Sequence, residues 1–168
     1  MLFLANRANL DRRRLLRRIF DTFDTRATTA ESPVERVWYH PSAGTRREVR
    51  VRVDPDRFLD TTWPVDRAQL QVSFDFPAAY DHEFYSIQWV EPERNLMAGW
   101  HQDETHPELG PCHFQLDHGG RTVDRLAATH LDSHPLNVLD RRTDRLVDVL
   151  DALRWTDGEP AVPASVVE

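Results

Sequence analysis

Six of the eight histidines in this chain of 168 residues fall between positions 101 and 134, and the densest run, residues 99–118, reads GWHQDETHPELGPCHFQLDH. It holds His101, His106, Cys112, His113 and His118, together with the acids Asp103, Glu104, Glu108 and Asp117. Imidazole titrates near neutral pH, so two histidines brought together can serve as general base and general acid. One chemistry that follows is transesterification of RNA, with His101, His106 and His113 lining the site and an arginine holding the scissile phosphate. Arg94, before the histidine strand, and Arg121, after the Gly119-Gly120 turn, are the candidate clamps. Such an enzyme needs no metal and no other cofactor. A second chemistry uses His101, His106 and His113 as neutral ligands of a metal ion, with a position left open for water. Their spacing, His-x4-His-x6-His, follows no standard ligand framework, and there is no Cys-x-x-Cys. In a third reading the histidines are structural: His106 and His118 cap loop backbone groups, and His101 packs on Trp100 or Trp89. All three readings stay open at this point.

Other chemistries find no footing. The chain lacks a Gly-x-Ser-x-Gly elbow, a phosphate loop ending in Gly-Lys-Ser/Thr and a Gly-x-Gly-x-x-Gly turn. All 21 cationic side chains are arginine, which removes any lysine-dependent nucleotide site. The single cysteine, Cys112, excludes an internal disulfide and a redox pair. It adjoins His113 in an extended segment, where neighbours point to opposite faces, so a thiol nucleophile activated by that histidine is disfavoured.

The histidine run connects two segments with the two-residue period of strands, and the rest of the chain reads as their support. Residues 9–24, NLDRRRLLRRIFDTFD, place Leu15, Leu16, Ile19, Phe20 and Phe23 on one helical stripe. The arginines of that helix lie at its positive dipole end, which predicts carboxylate or phosphate partners. A polar linker, Thr25–Pro33, leads to a hairpin of Val34–His40 and Arg46–Val53 around Pro41–Gly44, with Arg50 and Arg52 on one face. Ala68–Phe76 alternates most clearly, followed by Glu83–Glu91, Leu96–His101, Cys112–His118 and a short strand near Thr122–Leu126. A second helix starts near Ser133 or His134, with Pro135 in its first turn, and runs to about Trp155 on a stripe of Leu139, Leu146, Val149, Leu150 and Leu153. The expected fold is α+β: an antiparallel meander of about five to six strands, with an N-terminal amphipathic helix and a C-terminal helix packed on it. The expected organisation is an Arg-rich helix and linker over residues 1–30, one domain over 31–155, and a disordered tail over 156–168.

The segment from Ala68 to about Leu150 resembles the TumE-like family of prokaryotic toxins from toxin–antitoxin modules. In that family strands lead to an Arg-aromatic-Asp-Asn stretch followed by His-His, then a Pro-His-His-x-His strand and a final helix. Trp100 stands at the aromatic position, His106 at a histidine of the first group, Pro111 before the second strand and His113 two residues beyond it. The chain departs from the pattern at Gly99 for arginine, His101 for aspartate, Gln102 for asparagine and Gln115 for the last histidine. The resemblance implies a ribonuclease-like toxin with RNA as substrate and an antitoxin as partner.

Charge is uneven. Residues 1–60 carry 13 arginines against 9 acids and residues 61–168 carry 8 against 19, or +4 and −11 in a net charge of −7. Arg13, Arg14 and Arg17 are therefore candidate grips for RNA, or for an acidic partner in a non-enzymatic interaction module. The arginine-only, acid-rich composition fits a GC-rich, halophilic source. No apolar run approaches the roughly 20 residues that span a bilayer, and Met1–Arg7 holds too short an apolar stretch for a secretory signal, so no membrane partner and a cytoplasmic location are expected.

Overall fold

The computed structural model describes residues 11–168. Met1–Arg7 and the first two residues of the expected helix, Asn9 and Leu10, lie outside them. The first helix, α1, spans Arg12–Arg26 and is capped by the Asp11 carboxylate, which accepts from the Arg13 backbone N–H. Its arginines find carboxylates: Arg12 with Asp75 (3.4 Å), Arg14 with Asp11 (3.9 Å) and Arg17 with Asp21 (3.8 Å).

Seven strands follow: β1 (Val34–Pro41), β2 (Arg46–Val53), β3 (Ala68–Asp75), β4 (Phe84–Glu91), β5 (Leu96–Gln102), β6 (Cys112–His118) and β7 (Arg121–Ala127). They pair in chain order, every neighbour antiparallel, so the fold is the expected α+β meander with one more strand than the upper expectation. The strict alternation divides the sheet into two faces. One carries the register Val49, Val72, Ile87, Trp100 and Phe114, all buried in one core. Leu15, Leu16, Ile19 and Phe23 of α1 enter the same core, and Phe20 stacks on Tyr39 at 4.6 Å.

A short helix, α2 (Pro55–Leu59), joins β2 to β3 and was absent from the expected elements. The Asp54 side chain caps it, Pro55 opens it and Asp60, in left-handed conformation, ends it. The second long helix, α3 (Pro135–Ala152), is capped by the His134 side chain and buries the expected Leu139, Leu146, Val149 and Leu150. Arg142 fastens α3 to the core. It is 2% exposed, lies over the Trp100 ring and donates to Tyr85 Oη (3.2 Å), Cys112 Sγ (3.3 Å) and the Thr129 carbonyl (2.6 Å).

The tail is ordered, contrary to the expectation of disorder. Strands β8 (Arg154–Thr156) and β9 (Glu159–Ala161) form a hairpin around Asp157-Gly158, both at positive φ as a type I′ turn requires. Val162 and Val167 are buried beyond it, and the Trp100 indole donates to the Val167 carbonyl at 3.0 Å. The prolines that suggested disorder instead bracket a segment that covers the core. No helix among the described residues is long and apolar enough to cross a membrane.

Candidate functional site

The second face of the sheet is polar. Across all seven strands the register places Trp38, Arg50, Gln71, Gln88, Gly99, Gln115 and Arg125 in one row. The next row on the same face contains Ser73, Ser86, His101 and His113. His101 and His113 are direct partners across β5 and β6, and their rings lie cofacial at 5.4 Å and 9°. His106, in the connection between these strands, meets the His113 ring edge-on at 5.0 Å and pairs through Nδ1 with Glu108 at 3.2 Å. The sheet thus brings together the three histidines expected in the site.

Asp103 lies two residues beyond His101. One of its carboxylate oxygens accepts from the Thr105 N–H (2.8 Å) and hydroxyl (2.6 Å), which fixes its orientation. One ligand-type atom from each of His101, Asp103 and His113 falls within 4.8 Å of the others. Asp103, rather than His106, completes the ligand set of the metal reading, because the loop turns the His106 ring to the edge of His113. Beside the pair, the Gln88 amide nitrogen donates to His101 Nε2 at 2.7 Å, which places the proton of the neutral ring on Nδ1. His113 is 1% exposed, and its buried Nδ1 has no hydrogen-bond partner.

Electrostatics keep both rings neutral at pH 7. Burial lowers His101 below the ordinary imidazole range, although Asp103 and Asp117 pull the other way. Burial, reinforced by His101, pushes His113 down to about 4 in spite of Asp103. Partial burial opposes ionisation of Asp103, but the Thr105 hydrogen bonds and the two imidazoles outweigh it and hold its carboxyl below the usual range. A metal-free base and acid pair needs one protonated ring near neutral pH, and this environment resists that.

A cavity of about 460 Å³ adjoins the pair, with His101 and Asp103 in its wall and Ser73, Ser86, Arg12 and Arg47 around it. Arg125 shares the polar face, donates to Gln115 Oε1 at 3.0 Å, and is close enough to contribute to the lowering of His101 and His113. Arg12, Arg47, Arg125 and Gln88 were not among the expected site residues. Gln88 and Arg125 come near the histidines through strand register, and Arg12 and Arg47 through the folding of α1 and β2 against the end of the sheet.

The expected clamps are elsewhere. Arg94 lies past the far end of β5, about 17 Å or more from His101 by strand rise. It is bonded to buried Glu91 at 2.6 Å and sandwiched between the Trp63 and Trp155 rings at 5.3 and 5.2 Å. Arg121 sits at the β6–β7 turn, paired with Glu159. Arg13, Arg14 and Arg17 project from α1, which covers the opposite face of the sheet. His118 packs edge-on against Trp155 at 5.1 Å, and His101 packs on His113 rather than on a tryptophan.

The Gly99 departure has a steric reason: a Cβ there would lie 2.2 Å from the Ile87 carbonyl oxygen, so β4 and β5 approach too closely for any larger residue. Cys112, expected in the core, is fully buried, and burial raises its thiol pKa against the pull of Arg142. Comparison with family models, with curated proteins and with solved structures returns no match to this chain.

Proposed function

We propose that the polar face of the sheet cleaves RNA, with the reacting phosphodiester lying over His101, Asp103 and His113, and that the chain is the toxin of a toxin–antitoxin module. The observation that carries this reading is the cofacial His101–His113 pair, of which His101 lines a cavity whose wall also holds Arg47 and the Arg12–Asp75 pair. Two neutral imidazoles and the Asp103 carboxylate mark the reacting position, guanidinium groups suit a phosphate, and the row of glutamine amides from Gln71 to Gln115 gives hydrogen-bonding groups for bases. Arg125 takes the clamping role first expected of Arg94 and Arg121. The resemblance to the TumE-like family supports the same substrate and a cytoplasmic place of action.

The test is cleavage of an end-labelled mixed-sequence RNA at low and high salt. The His113→Ala variant, provided its circular dichroism matches wild type, is expected to cut at least about 100-fold more slowly. Cleavage at the wild-type rate in that variant would remove the histidines from the mechanism, and no cleavage by wild type at any salt would end the ribonuclease reading.

A partner surface is favoured by a separate observation: Arg13, Arg14 and Arg17 converge with Arg46 around a shallow cavity of about 290 Å³ on the α1 side. In this reading an acidic antitoxin docks there. Reversing the three helix arginines to glutamate is expected to abolish capture of that partner while RNA cleavage persists. Capture lost through histidine substitutions alone would place the partner on the other face.

A further inference from the structure

We infer that His101, Asp103 and His113 form a binding site for one divalent transition-metal ion. The inference deepens the ribonuclease reading by naming the cofactor of the same cluster, but it stands on metal binding alone. Two imidazoles and a carboxylate suit first-row divalent ions such as zinc, whose sites often combine three protein ligands with a position for water or substrate.

Geometry carries the case. The two histidines are fixed by direct pairing across β5 and β6, the most ordered placement that a sheet provides, and Asp103 is on the same face two residues further on. Ligand atoms around such an ion stand roughly 3.3 Å apart, given bonds of about 2.0–2.2 Å, so the present 4.8 Å envelope must close by side-chain rotations that tilt the cofacial rings toward one ion. Each ligand has its support. Gln88 donates its amide N–H to His101 Nε2 at 2.7 Å and so holds the ring; coordination through Nδ1 requires that amide to turn over and accept from Nε2–H. Thr105 holds Asp103 through two hydrogen bonds.

The independent sign is His113. A ring that is 1% exposed and carries a buried nitrogen without a hydrogen-bond partner is costly unless the ring serves another purpose. A ring nitrogen of His113 lies within 4.8 Å of ligand atoms of His101 and Asp103, so a cation held there would give the ring a partner. The ion would stand beside the cavity whose wall His101 and Asp103 share with Arg12 and Arg47, and there it would polarise a phosphoryl oxygen.

The experiment titrates Zn²⁺ into tag-free, chelator-stripped protein by calorimetry and records visible absorption with Co²⁺. One ion per chain is expected. His101→Ala and Asp103→Asn, both at half-buried positions that tolerate change better than His113, should each weaken Zn²⁺ binding at least about tenfold, as should Gln88→Ala through loss of support. His118→Ala should bind as wild type does. A folded wild type that takes up no Zn²⁺, or unchanged affinity in either ligand variant, overturns the site. Zn²⁺ binding by a protein that cuts no RNA keeps the site and removes the ribonuclease reading. RNA cleavage by a protein that binds no Zn²⁺ and ignores chelator does the reverse.

Discussion

His113 concentrates the conflict between folding and chemistry in this chain. Its ring is buried in neutral form and its pKa is pushed down to about 4, whereas in the unfolded chain it returns to about 6.5. Between those values the unfolded state holds a proton that the folded state does not, so stability falls as pH is lowered through that window. The slope from this residue approaches about 1.4 kcal/mol per pH unit at its steepest, and His101, shifted the same way, adds to it. Urea unfolding in chelator at pH 7, 6 and 5 should show this loss, and His113→Gln should flatten it. A wild-type protein equally stable at pH 7 and 5 would mean that the ring is solvated or paired in solution.

At the scale of elements, strands β4 and β5 set the site, and Gly99 sets their spacing. A methyl group at Gly99 meets the Ile87 carbonyl at 2.2 Å, so Gly99→Ala must push the strands apart. The expected cost is about 1–3 kcal/mol in thermal or chemical unfolding, with displacement of the adjacent Gln88–His101 contact. An alanine variant as stable as wild type would show that the strands yield freely. Local sequence revealed such elements where one face is apolar: Val49, Val51 and Val53 in β2 or Leu70, Val72 and Phe74 in β3 alternate without exception. It hid α2, whose five residues are too few for a helical period. It led to the tail being read as disordered because Pro160 and Pro163 outweighed the Asp157-Gly158 turn signal. The histidine cluster was visible as composition, but its chemistry was not. Asp103 passed for one loop acid among several, and Arg125 and Gln88 belong to the site only through cross-strand register.

At the scale of the whole molecule, among the described residues, α1 and α3 pack on one face of the sheet and no helix on the other, and residues 162–167 add to that cover. Val162 and Val167 are buried, and Trp100, on the strand that carries His101, donates its indole N–H to the Val167 carbonyl. Removal of residues 162–168 should lower the melting temperature and shift tryptophan emission to the red as Trp100 gains water. Unchanged melting and emission would mean that the tail is dispensable. The net charge of −7 surrounds a cavity in whose wall Arg12 and Arg47 are matched by Asp75 and Asp103, so the long-range field opposes a polyanion. Salt screens that field.

The strictly sequential meander bears on how the protein is made. Each strand pairs with the one just synthesised, so β1 to β7 can assemble in order as the chain leaves the ribosome, without waiting for distant partners. His101 and His113 can therefore pair before α3 and the β8–β9 hairpin take their places. The contact from Trp100 to Val167 closes across 67 positions and is among the last to form, so a nascent chain holds its histidine pair before its core is sealed.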